Sequence, residues 1–457
     1  MHRTRLPCRP ETVAAALAVL LGAACGCSAG GSREDARGPD DTAGDVAADV
    51  GEAGEEDARG EDVTADDGSG ADEGGTVGPP PDPSCVTDGC LREATHVGDY
   101  TVGDLAPFLD PDVTLDNGYS AYVVRYFTSG RDCLATVAIP YAVDPPEGGF
   151  HVVANEHGTS GVADACAVTG TLSGGGLAGL FGGRGLIGVS ADYPGLGTDG
   201  PHPYLVADSE GRSALDALRA TRALALWLDV PLSGRYAVVG LSQGGHATLA
   251  AAARHSTYAP ELDVRAFAAS GPASVWEEQW RLGAASDGPH LVFHALLVWA
   301  WAAHYGWDGP ELWAAGLASR VDAVMESRCL VSSTGGATLG SDLGETAAGI
   351  FSPEFLDAYR TGVWGAYASF HEWFGANRVG PYAQTAPLRI YQGDADDVVP
   401  EAWTAAMVAA LRAGGVDVEY EVVPGGGHTD VAFGFVAYRQ LRTDESIAWL
   451  RAHLDAP

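Results

Sequence analysis

Six apolar runs separated by amphipathic stretches constrain this chain most. Residues 150–155, 186–191, 235–240, 264–270, 388–392 and 418–423 have the length and bulk of buried strands. Between several of them the apolar residues recur at helical spacing, over 209–228, 246–255 and 401–413, the last stopped by Gly414 and Gly415. Buried strands alternating with helices predict an α/β fold, a mostly parallel sheet flanked by helices on both faces. The alternation breaks between 271 and 385, which lacks clear strands and holds Trp276, Trp280, Trp299, Trp301, Trp307, Trp313, Trp364 and Trp373, most of the 11 tryptophans. That stretch reads as a helical, Trp-rich cap inserted into a domain formed by 85–270 and 386–457. Its indoles have two readings, a lipid-facing surface or an aromatic core. His294, His304 and His371 within it read as packing or interfacial residues.

Charge excludes several functions. The formal charge is −35, and all 26 basic side chains are arginine. Without lysine there is no Schiff-base amine and no phosphate-binding GxxxxGK[ST] loop. So acidic a surface repels nucleic acid, which is excluded as a partner. At 46% hydrophobic the chain can still bury a large core.

The acidic residues are concentrated before residue 85. Residues 28–84 are rich in Asp, Glu, Gly and Ala and end near Pro79-Pro80-Pro81, with too little apolar bulk to offset the entropy of ordering. They read as a disordered acidic linker. Ahead of it, Arg3, Arg5 and Arg9 precede an apolar run from Val13 to Ala24, the pattern of a secretory signal peptide over 1–27. Its end, Leu21-Gly22-Ala23-Ala24-Cys25-Gly26-Cys27, resembles a bacterial lipoprotein signal, which implies membrane attachment through a lipidated Cys25 or Cys27. The chain is expected to be exported, as a cell-surface or periplasmic lipoprotein or else secreted. Export permits disulfides. Cys85 and Cys90 are spaced to close a small loop, which leaves Cys133, Cys166 and Cys329. No Cys or His cluster has zinc spacing, and no metal is expected.

The nucleophile candidate is Ser242, in Gly240-Leu241-Ser242-Gln243-Gly244. With 62 glycines in 457 residues the GxSxG pattern arises readily by composition, so context decides. Here a short apolar strand leads in and a helix leads out, the setting of a strained strand-to-helix elbow that lifts a serine Oγ above a sheet. A serine needs a base, and the base an orienting acid. The base candidate is His428, in the Gly-rich stretch after the last strand. The acid comes from the turn after residue 392, where Asp394, Asp396 and Asp397 are all candidates. The strand over 150–155 runs into Glu156-His157-Gly158-Thr159-Ser160-Gly161, a turn suited to an oxyanion site. Gly158 and the backbone N–H of Thr159 are candidates there, with the N–H of Gln243 after the serine.

Four runs together resemble the secretory-lipase family of α/β-hydrolases: HGTSGVADAC (157–166), DYPGLGTDGPHPYLVADSEGRSALDALRA (192–220), GLSQGGHA (240–247) and GDADDVVP (393–400). The similarity covers roughly 95–455. It implies the α/β-hydrolase fold with a helical cap between nucleophile and acid. It further implies a carboxylic-ester hydrolase acting on ester or lipid substrates through an acyl-enzyme, with Asp396 as the triad acid.

Gly174-Gly175-Gly176-Leu177-Ala178-Gly179 also satisfies GxGxxG, but it follows no convincing strand and has no acidic residue about 20 positions on. No nucleotide or other cofactor is expected. Two further readings stay open: an acyltransferase or peptidase using the same triad, and a non-catalytic surface-binding protein.

Overall fold

The computed structural model describes residues 78–105, 114–169, 178–332, 335–431 and 440–457. The signal peptide, Cys25, Cys27, the linker up to residue 77 and residues 174–177 of the GxGxxG run lie outside these. Among the described residues no helix is long and apolar enough to cross a membrane.

Among the described residues nine strands form one sheet: β1 Leu91–Tyr100, β2 Gly118–Thr128, β3 Arg131–Tyr141, β4 Phe150–Glu156, β5 Ile187–Ala191, β6 Leu232–Leu241, β7 Asp263–Ser270, β8 Leu388–Gly393 and β9 Val418–Val423. Their spatial order is β1-β2-β3-β5-β4-β6-β7-β8-β9. From β5 through β9 every pairing is parallel. β1, β2 and β3 form an antiparallel meander joined to β5. All six predicted strands are present, within a few residues of their expected ends. The meander adds three that the apolar-run criterion passed over. β1 is an edge strand with Leu91 its one buried residue, and β2 alternates buried and half-buried positions.

The parallel strands are buried on both faces. In β6, Tyr236 and Val238 belong to one core with Leu215, Leu218 and Leu249, while Ala237 and Val239 pack with Phe181, Ile447 and Leu450 on the other side. Alternate side chains of a strand point to opposite faces, so one strand serves two cores. The helices lining the first core are α1 Ala207–Trp227 and α2 Gln243–Tyr258.

Residues 271–385 are helical. The longer elements are α3 Glu277–Gly283, α4 Leu291–Tyr305, α5 Pro353–Thr361 and α6 Ala368–Asn377. α5 shows how local sequence sets the boundaries. Ser352 caps its first turn by accepting from the Phe355 N–H, Pro353 opens the helix, and Gly362 ends it at φ 71°. This region has its own core, in which Trp280, Trp299, Trp301, Trp313 and Trp364 are buried with Phe351, Phe355, Phe370 and Phe374. Trp276, Trp307 and Trp373 are half-buried. Five of these indoles thus form an aromatic core. The α/β half continues with α7 Glu401–Ala413, whose ends match the sequence reading, and α8 Gln440–Leu454.

Two disulfides form, Cys85–Cys90 and Cys166–Cys329, and Cys133 is a buried free thiol. The second ties the segment after the HGTSG turn to the helical region, where Gly161 also bridges to Cys329 and the Leu330 N–H donates to the Ser160 carbonyl.

Candidate active site

Ser242 sits between the end of β6 and the start of α2 with φ 60° and ψ −115°, a conformation that costs a non-glycine residue energy and persists only where its surroundings impose it. The surroundings are specific. The Ser242 N–H donates to the Ser270 carbonyl at the end of β7, and the Ser242 carbonyl accepts from the N–H groups of His246 and Ala273. Space explains one flanking glycine directly: a Cβ on Gly244 would overlap the Glu156 carbonyl oxygen at the end of β4. The elbow thus exists because β4 and α2 touch backbone to backbone.

His428 Nδ1 lies 2.8 Å from Asp396 Oδ2, with the Asp396 side chain fully buried. Asp396 is held in place: its Oδ1 accepts the N–H groups of Val398 (2.9 Å) and Val399 (2.8 Å), and its Oδ2 accepts from Gln392 Nε2 at 2.9 Å. Gln392 is itself fixed by Thr404, whose hydroxyl donates to it at 2.6 Å. Gly271, just past the Ser270 that holds the elbow, borders the pair, because a Cβ there would lie 3.3 Å from the His428 ring and 3.4 Å from Asp396 Oδ2. The neighbouring carboxylates are engaged differently. Asp394 is exposed and accepts the Gly425 N–H at 2.6 Å, while Asp397 is exposed and lines the cavity next to Ser242.

The HGTSG turn comes up beside Ser242: a Cβ on Gly158 would lie 3.8 Å from Ser242 Cβ. Below it, His157 is fully buried, its carbonyl accepts from the Tyr193 hydroxyl at 2.9 Å, and burial pushes its pKa down. The Thr159 hydroxyl meets that of Tyr204 at 2.9 Å. Gln243 turns its side chain away from the site, into a buried network. Its Nε2 donates to His202 Nε2 and to Glu210 Oε1, each at 2.9 Å. His202 can accept because burial lowers its pKa to about 3 and leaves the ring neutral, its Nδ1–H donating to the Pro194 carbonyl. Glu210 also accepts the Leu205 N–H and pairs with His246 Nδ1 at 2.6 Å.

Sequence reasoning assigned no role to Tyr204, His202, Glu210 or His246. Tyr204, His202 and Glu210 fall in the 192–220 run and His246 in the 240–247 run, and only tertiary packing brings the two runs together. A cavity of about 270 Å³ opens on Ser242, lined by Tyr204, Trp280, Phe293, His294 and Trp403 among others. Burial lowers the pKa of His294 to about 3, so this wall of the cavity is uncharged, and its Nδ1 meets the Tyr359 hydroxyl at 2.9 Å.

Residues 178–276, which include the elbow, match the secretory lipase family model, and residues 340–457 match that of the prolyl oligopeptidase family. No curated protein matches the chain in sequence. Among solved structures, the rice cell wall degrading esterase LipA from Xanthomonas oryzae superposes with a TM-score of 0.66 at 18% identity, over 80% of this chain and 98% of its own. A putative hydrolase from Legionella pneumophila gives 0.67 at 20% identity, over 79% and 98%. Candida antarctica lipase A in its closed state gives 0.56 at 18% identity, over 78% and 81%. At such identities these likenesses show the fold, and the chain has the α/β-hydrolase fold. Within that fold, residues 178–276 are similar to the secretory lipase family.

Proposed function

We propose that the chain is an exported serine ester hydrolase whose triad is Ser242, His428 and Asp396. The His428–Asp396 pairing at 2.8 Å carries this reading, because it leaves Nε2 of the ring as the free base. In the first step Nε2 takes the Ser242 proton as Oγ attacks the ester carbonyl. The developing oxyanion is held by the N–H groups of Gln243 and Thr159, with Gly158 giving the turn its close approach. The same histidine then protonates the departing alcohol. Water, deprotonated by His428, releases the acid from the acyl-enzyme. Losing one oxyanion donor typically costs about 3–4 kcal/mol of barrier lowering.

The 271–385 region acts as the cap and supplies most of the acyl cavity. At about 270 Å³ that cavity is smaller than the ~300–1,000 Å³ usual for drug-sized ligands, which favours short acyl chains. Export agrees with the two disulfides and with the secretory-lipase match. Lipidation at Cys25 or Cys27 would tether the domain to a membrane.

The test is labelling with a serine-directed phosphonate, wild type against Ser242→Ala, followed by esters of graded chain length. Labelling of wild type alone and hydrolysis peaking at short acyl chains is the expected result. An unlabelled wild type, under conditions where a control hydrolase reacts, overturns the reading. The prolyl oligopeptidase match spans both Asp396 and His428 and favours peptide-bond cleavage as the second reading. Peptide amide substrates added to the same panel decide between them.

A further inference from the structure

A second hollow, of about 380 Å³, lies in the helical region and shares no lining residue with the Ser242 cavity. Its aromatic wall is Trp299, Trp307 and Trp313, and its charged groups are Glu311 and Asp322, both exposed. Arg, His and side-chain amides are absent from the lining. Ala302 and Ala303, from the last turn of α4, also border it, so the partial negative charge of a helix C-terminus adds to two carboxylates.

The indoles are fixed in place. Trp307 stacks on Tyr367 with ring planes 17° apart, and Trp313 on Phe351 with planes 23° apart. Two indole N–H groups are already spent inside the fold, Trp299 on Asp322 Oδ1 at 2.8 Å and Trp307 on the Pro310 carbonyl at 3.0 Å. The carboxylates are fixed as well, since Glu311 Oε1 accepts the N–H groups of Leu312 and Trp313. Such a site offers negative charge and polarisable aromatic surface but few free donors. A sugar, whose hydroxyls need donors as well as acceptors, is poorly matched. A cation without hydrogen-bonding groups of its own is well matched, because aromatic faces and carboxylates attract it while it asks for no donor.

We propose that this hollow binds an organic cation of the quaternary ammonium class. Rings and carboxylates held in advance lower the ordering cost of capture. The site stands apart from the Ser242 cavity and does not depend on the ester-hydrolase reading.

The experiment is calorimetric titration of the full chain with tetramethylammonium chloride at constant ionic strength. Parallel titrations use sodium chloride, neopentyl alcohol (a neutral ligand of similar shape) and methyl β-glucoside. Saturable one-to-one binding of tetramethylammonium alone is expected. Binding should weaken at least about tenfold in Trp307→Leu and in the double variant Glu311→Gln/Asp322→Asn. The double variant keeps an acceptor at each position, so its unfolding midpoint should match wild type and report an intact fold. No saturable heat with tetramethylammonium overturns the proposal, as does equal binding of neopentyl alcohol. Binding that survives the double variant, or saturation by the glucoside in place of the cation, also overturns it.

Discussion

The backbone of Gly244 packs against the Glu156 carbonyl so closely that no side chain fits between them. This single approach couples the end of β4, which leads into the HGTSG turn, to the first turn of α2, which follows Ser242. Gly244→Ala sets a methyl against the backbone of Glu156 and His157, where nothing flexible can give way. Overpacking typically costs about 1–3 kcal/mol, and this variant is expected at or beyond the upper end. A fall in the thermal midpoint together with loss of activity is the expected outcome. Gly340→Ala, where a Cβ meets nothing within 4 Å, is the matched control and should unfold like wild type.

The three carboxylates after β8 are separable. Asp396 alone is buried and touches His428, whereas Asp394 braces the turn at Gly425 and Asp397 faces the cavity. Asp396→Asn leaves the shape intact but favours the wrong histidine tautomer, for which a fall in kcat of about 10⁴ is expected. Asp394→Asn retains an acceptor for the Gly425 N–H and should stay within about threefold of wild type, as should Asp397→Asn. Steady-state kinetics on one short ester ranks all three. A ranking led by Asp397 would move the acid into the cavity wall.

Tyr204 positions Thr159 through their 2.9 Å hydroxyl contact, and it is itself locked by the Trp301 indole N–H, which donates to its carbonyl. One hydrogen bond contributes about 0.5–1.5 kcal/mol. Tyr204→Phe should therefore lower kcat by roughly 3- to 10-fold with KM nearly unchanged. Thr159→Val should do the same, and the double variant should lose little more than either single one. Fully additive losses in this cycle would show that the two side chains act separately.

How much of this was legible in the sequence depended on whether a signal was local. α7 was read to the residue because Pro400 and Gly414 bracket an uninterrupted apolar periodicity. The elbow was legible because strand, glycines and helix are contiguous. The β1–β3 meander was missed because β1 is largely exposed and because polar residues, Arg125 in β2 and the buried Thr136 in β3, interrupt the apolar runs. The partner of Cys166 was illegible for another reason: Cys329 lies 163 residues away, and spacing carries no information about pairing at that range. The Gln243–Glu210–His246 network is likewise assembled only by tertiary packing of α1 on α2.

That long disulfide should matter more to stability than the short one. By loop-closure entropy a ring of this length contributes about 5 kcal/mol as an upper value, and the Cys85–Cys90 ring about 2 kcal/mol. Cys166→Ala/Cys329→Ala should lower the urea midpoint clearly more than Cys85→Ala/Cys90→Ala. Equal midpoints would mean that the helical region keeps its place without the link.

Two buried carboxyls should make the protein less stable as pH rises through neutrality. Burial raises the pKa of Asp192 to about 7, and burial, reinforced by the nearby Glu210, raises that of Glu156 well above the usual carboxylate range. Both Glu156 oxygens and Asp192 Oδ2 lack a hydrogen-bond partner among the described residues, and at Asp192 the loss of water outweighs the Val168 and Thr169 N–H groups that its Oδ1 accepts. Between the unfolded value near 4 and the raised folded value, the folded chain holds more protons than the unfolded one. Stability must then fall with each rise in pH across that window, which is about 4 to 7 for Asp192, with Glu156 adding to the fall as pH rises above the usual carboxylate range. Glu156→Gln fixes the neutral form in both states and removes its share of the slope. Urea midpoints at pH 5, 7 and 8.5 should show the variant close to wild type at the lowest pH and progressively more stable above it. Parallel pH profiles for the two proteins would mean that Glu156 finds a compensating donor when it ionises.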